Sequence, residues 1–115
     1  MDKVEFVKAI KEVVESSSVE NTIENLSEPP GRSPDKRLLK QSNWFKSLPP
    51  SEQALVQSLI EDAVKESVFG MLCVLDGVRP IASSDDSSMN IQLTIGDSLI
   101  NDTESECLHD IYQNV

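Results

Sequence analysis

With 115 residues, 38% of them apolar and 26% charged, the chain has the size and balance of one folded domain, not of a disordered segment. Twenty acids against ten bases leave a net charge of −10, which disfavours direct binding to nucleic-acid phosphates or to an anionic membrane. The longest apolar run, Val68 to Leu75 with Gly70 inside it, is far shorter than the roughly 20 residues of a bilayer span.

The opening Met1-Asp2-Lys3-Val4-Glu5 has acids where a secretory signal carries a basic end and then an apolar core, so an unexported, cytoplasmic protein is expected. The sequons at Asn25 and Asn101 then carry no glycan. Residues 2–16 read as an amphipathic helix, with Val4, Val7, Ile10, Val13 and Val14 on one stripe. Asp2 and Glu5 have capping-box spacing. Ser16-Ser17-Ser18 interrupts this helix, and Ser17 with Glu20 offers a fresh start. Val19, Ile23 and Leu26 line a second helix or a kinked continuation. Pro29-Pro30-Gly31 ends it.

Ser33-Pro34-Asp35 reads as the start of a short helix over about 34–42. Asn43-Trp44-Phe45-Lys46-Ser47-Leu48 follows as an aromatic link, closed by Pro49-Pro50. The longest element begins there: Leu55, Val56, Leu59, Ile60, Ala63, Val64, Val68, Phe69 and Leu72 recur every three or four residues. After Ser67 the polar side disappears, so its last two turns are expected to be buried all round, with Gly77 as the stop. The competing reading makes Met71–Leu75 a strand turned at Asp76-Gly77 into 78–81, against which Pro80 speaks.

Ser83–Ser88 reads as a polar loop. Met89, Ile91, Leu93 and Ile95 then alternate with polar neighbours, the period of a strand. A two-residue turn at Gly96-Asp97 places Ser98 opposite Ile95 and Ile100 opposite Leu93. Thr103-Glu104-Ser105-Glu106 has capping-box spacing and is expected to open a last helix with Cys107, Leu108, Ile111 and Tyr112 on one side. The fold class is α+β: a mostly helical body with one long central helix, a C-terminal β-hairpin and a final short helix.

Reactive side chains are sparse. His109 is the single histidine, and two residues from Cys107 on a helix it is expected to point the other way and to lie solvated beside Asp110. Cys73 sits in the most apolar run, where a thiolate is disfavoured. No Cys-x-x-Cys or His-x-x-x-His spacing preorganises zinc, and the acids lack a calcium-loop pattern. No catalytic residue, metal or cofactor is therefore expected. The features that remain suit binding. Trp44 and Phe45 either pack under the turn into the central helix or leave an exposed aromatic anchor. Arg79 either pairs with Asp76 or a neighbouring acid, or anchors a binding cleft. The basic island Arg32, Lys36, Arg37, Lys40 and Lys46 suits the protein's own acidic surface better than a nucleic acid.

Asn43-Trp44-Phe45-Lys46-Ser47-Leu48-Pro49-Pro50 and the run Val68-Phe69-Gly70-Met71-Leu72-Cys73-Val74-Leu75-Asp76-Gly77-Val78-Arg79-Pro80-Ile81, with Pro29-Pro30-Gly31-Arg32 and the ending Leu108-His109-Asp110-Ile111-Tyr112, resemble a family of small uncharacterised acidic bacterial proteins. The resemblance implies a bacterial cytosolic protein and transfers no catalytic residue. The leading expectation is a non-catalytic module binding a basic protein, by analogy an immunity or inhibitor type, through Arg79, Asp76, Trp44, Asp85 and Asp86. The alternatives are a self-associating structural or regulatory subunit, with a homodimer as its form, and a small enzyme using carboxylates.

Overall fold

The computed structural model describes residues 1–82 and 90–115; Ser83–Ser88, Met89, and with them Asp85 and Asp86, lie outside the described residues. The elements in chain order are α1 (Lys3–Ile10), a π-helical segment (Lys11–Ser16), α2 (Ser17–Ser27), α3 (Lys36–Ser47), α4 (Pro50–Leu75), β1 (Thr94–Ile95), β2 (Ser98–Leu99) and α5 (Leu108–Asn114). This is a mostly helical body with one long central helix, α4, then a β-hairpin and a short final helix. Among the described residues no helix is long and apolar enough to cross a membrane.

The chain divides into two compact units, one formed by residues 1–14 with 66–115 and the other by residues 15–65. In the first, Asp2 caps α1 through the full reciprocal box: its side chain accepts from the Glu5 N–H, and the Glu5 carboxylate accepts from the Asp2 N–H. The serine triplet does not stop the helix. The backbone widens into the π-helical segment, which takes in Ser16, and continues as α2 from Ser17; Ser16 makes no side-chain cap. The second unit packs α2 against α3, where the buried Ser42 Oγ donates to the Leu26 carbonyl at 2.7 Å between Leu26 and Phe45.

Two expectations about α3 are corrected. Its cap is Asp35, whose carboxylate accepts from the Arg37 N–H at 2.7 Å, and not Ser33. The helix also continues to Ser47, so Trp44 and Phe45 are helical. Adjacent helical residues point about 100° apart. Phe45 is therefore buried while Trp44 is 53% exposed. Gln53 Nε2 donates to the Phe45 carbonyl at 3.1 Å, fastening the start of α4 to the end of α3.

Pro50 occupies the first position of α4, where its missing N–H has no partner to lose. The helix reading of 71–75 is the observed one. It ends at Leu75 because Gly77 takes φ +77°, and the Val78 and Arg79 N–H groups turn back to the Cys73 carbonyl at 3.0 and 3.2 Å. In the hairpin Ile95 faces Ser98, and the Ile100 N–H reaches the Leu93 carbonyl at 2.7 Å, the expected register. Gly96 supplies φ +60° at the turn. The paired strand is shorter than its alternation suggests, but burial still alternates from exposed Asn90 to half-buried Ile95.

The core of the first unit joins Val7, Val68, Leu72, Cys73, Ile100, Leu108, Ile111 and Tyr112. Asn101 staples it: its amide nitrogen donates to the Leu75 and Ile91 carbonyls at 2.7 and 2.8 Å, and its oxygen accepts from the Leu93 N–H at 2.8 Å. All three bonds hold backbone that no sheet or helix satisfies.

Candidate functional site

The carboxylate of Asp76 emerges one residue past the end of α4 and is turned inward, its side chain only 1% exposed. A buried carboxylate needs donors, and α5 supplies them. Oδ1 accepts from the Leu108 N–H at 3.0 Å, and Oδ2 accepts from the His109 N–H at 2.8 Å. The His109 ring nitrogen Nδ1 also lies 2.6 Å from Oδ2. Asp76 thus does for α5 what an N-cap side chain does, from more than thirty residues away. The Thr103–Glu106 box does not open α5. That helix begins five residues after Thr103, with Cys107 at its cap position and no side-chain cap bond of its own.

This placement overturns the expected separation of Cys107 and His109. Opposite directions for residues two apart hold inside a helix, but Cys107 stands outside it, with φ −69° and ψ 151°. Its Sγ, a carboxylate oxygen of Asp76 and a ring nitrogen of His109 all lie within 4.8 Å of one another. His109 is not a solvated surface residue either: its side chain is 16% exposed. Its ring meets Phe69 edge-on, centroids 5.8 Å apart, and Nε2 stands 3.5 Å from Asp110 Oδ1. The imidazole is therefore held between two carboxylates and an aromatic edge.

The electrostatics of the thiol oppose nucleophilic use. Burial first, then the negative charges of Asp76 and Asp110, push the Cys107 thiol above its ordinary pKa, whereas an activated cysteine needs the reverse. Cys73 is raised as well, by burial above all.

Of the sequence-selected binding residues, Asp76 and Arg79 belong to the first unit and Trp44 to the second, and Asp85 and Asp86 lie outside the described residues. Asp76 is committed to α5 and is not presented to solvent. Arg79 is exposed, its guanidinium lying against the buried Gly70, and among the described residues it has no carboxylate partner. Trp44 is exposed, but in the other unit.

What the periodicity of α4 concealed is a second face within residues 50–65. Gln53, Val56, Ile60 and Val64 form a half-buried stripe, while Leu55 and Leu59 stand 65% and 68% exposed. The three- and four-residue spacing places Glu52, Leu55, Leu59 and Asp62 on one ridge, all of them exposed. Two neighbouring apolar stripes read as one broad face in sequence; here only one is covered. Comparison of the chain with protein-family models, with curated proteins and with solved structures found no match.

Proposed function

We propose that the protein is a non-catalytic binding module that captures a basic protein partner on the acid-flanked leucine ridge of α4. The observation that carries this reading is the exposed pair Leu55 and Leu59 bracketed by Glu52 and Asp62. Two large apolar side chains in solvent are an anchor in search of a cover, and acids on the rim choose a partner of opposite sign. Trp44, of a residue type that dominates interface energetics, adds a further exposed aromatic in the same unit. The net charge of −10 favours fast encounter with a basic protein. An inhibitor or immunity role is one form such a module takes. The free thiols Cys73 and Cys107 suit the reducing cytoplasm.

The test compares the wild type with the Leu55→Asp/Leu59→Asp double variant, each immobilised and exposed to the native cell extract at low salt. The reading expects the wild type to retain a discrete basic protein that salt releases, and the variant to retain none. Equal recovery on both would refute it. A second copy of the chain is the other occupant an apolar ridge allows, although its own Glu52 and Asp62 would meet like charges. Sedimentation of a wild-type dimer that the double variant abolishes would put self-association in place of the basic partner.

A further inference from the structure

The geometry points to a binding site for a zinc-class divalent metal ion at Asp76, Cys107 and His109. The leucine ridge plays no part in it, so the two readings stand or fall separately.

Three donors of different chemistry converge there, one oxygen, one sulfur and one nitrogen, all within 4.8 Å of one another. Ligands around a tetrahedral zinc at ~2.0–2.3 Å stand roughly 3.3–3.8 Å apart, so a donor pair at the 4.8 Å limit closes by about 1 Å, while the 2.6 Å contact of His109 Nδ1 with Asp76 Oδ2 opens by a similar amount. The thiolate and imidazole donors select zinc, cobalt or a similar borderline ion over magnesium or calcium, which take oxygen. Three protein ligands leave a fourth position for water or for a group presented by a partner.

The scaffold around these donors is already in place. Cys107 is fixed by its cap position on α5, and Asp76 is fixed by the Leu108 and His109 N–H groups. The His109 ring is oriented by Phe69. Its Nδ1 faces Asp76 at 2.6 Å, and its Nε2 faces the Asp110 carboxylate at 3.5 Å. A metal taking Nδ1 would occupy the place of the proton shared with Asp76. Nε2–H would then point to Asp110, the carboxylate–histidine–metal arrangement that orients a ligating imidazole. Asp76 loses no helix contact in this exchange. Its two oxygens accept two backbone N–H groups between them, and a carboxylate has about four lone-pair positions.

Cobalt(II) added to the reduced, metal-free full-length protein reads out sulfur and geometry together. The expected result is one cobalt per chain, a thiolate-to-cobalt charge-transfer band, the strong visible absorption of a four-coordinate ion, and displacement by zinc. Cys107→Ser should abolish the charge-transfer band, and Cys73→Ser should keep it. His109→Gln should weaken zinc at least tenfold, since even outer-shell partners of a zinc ligand are worth about 10–100-fold. Thermal melts of the metal-free variants establish that each is folded. Absence of a charge-transfer band in the wild type overturns the site. So does a band that survives Cys107→Ser, or zinc affinity unchanged by His109→Gln.

Discussion

The two units solve the burial problem to different depths. Residues 1–14 with 66–115 enclose Val7, Val68, Leu72, Cys73, Ile100, Leu108, Ile111 and Tyr112, and fasten them with the Asn101 staple and the Asp76 clasp. Residues 15–65 bury Leu26 and Phe45 around one serine hydroxyl, and leave Leu39, Trp44, Leu55 and Leu59 in solvent. Helix α4 contributes to both, so one helix shows the contrast directly: Leu72 is 2% exposed and Leu59 is 68% exposed. Apolar content in a helix therefore predicts burial only where enough neighbouring surface exists to cover each stripe. Both units leave apolar side chains in solvent, Met71 and Ile81 among them in the first, but only the second does so with so few buried ones to hold it together.

Breaking that contrast begins with the leucines. Leu72→Ala should cost about 2–5 kcal/mol in urea unfolding, because it empties a packed site. Leu59→Ala should stay within about 0.5 kcal/mol, as surface changes do. Comparable losses would mean that the ridge is covered in the isolated chain. Next in size is the clasp. Asp76→Ala strands the Leu108 and His109 N–H groups and removes charge-assisted bonds, for an expected loss of about 2–3 kcal/mol. Hydrogen exchange should quicken first in α5; a loss no larger than that of Leu59→Ala would deny the clasp its role.

How much of this could be read beforehand depended on the range of the contacts. The Asp2–Glu5 box, the Gly77 stop and the pairing of Ile95 with Ser98 are local, decided within a few residues by capping and turn chemistry. They were legible. The Asp76–Cys107–His109 cluster was not, because position 76 meets 107–109 only through the tertiary fold. Cys107 and His109 were also given helical directions, when the helix starts one residue later than Cys107. The outward turn of Leu55 and Leu59 was hidden for another reason: periodicity reports that a face is apolar, not whether anything lies on it.

Smaller effects sharpen the picture of the well-packed unit. Gly70→Ala removes a flexible residue from a helix interior, a gain of about 0.5–1 kcal/mol, while its new methyl collides with the Arg79 guanidinium. The colliding atom ends an exposed, flexible side chain, so net stabilisation is expected in thermal melts; net loss would show Arg79 held over α4. The smallest change belongs to Lys3 and Asp102. The Lys3 hydrogen bond holds the Asp102 carboxyl below the usual carboxylate range, with burial opposing it. A depressed folded pKa gives stability that is present above the unfolded value of about 3.9 and lost as pH falls through the folded one. In Lys3→Met, the Asp102 carboxyl followed by NMR should titrate closer to that ordinary value. An unmoved midpoint would show that the ammonium does not set it.

The Asp76 clasp also closes a ring without a covalent bond, across a sequence separation of 32. Ring entropy grows only with the logarithm of circumference, so a ring ten residues longer would cost roughly 0.2 kcal/mol more to close.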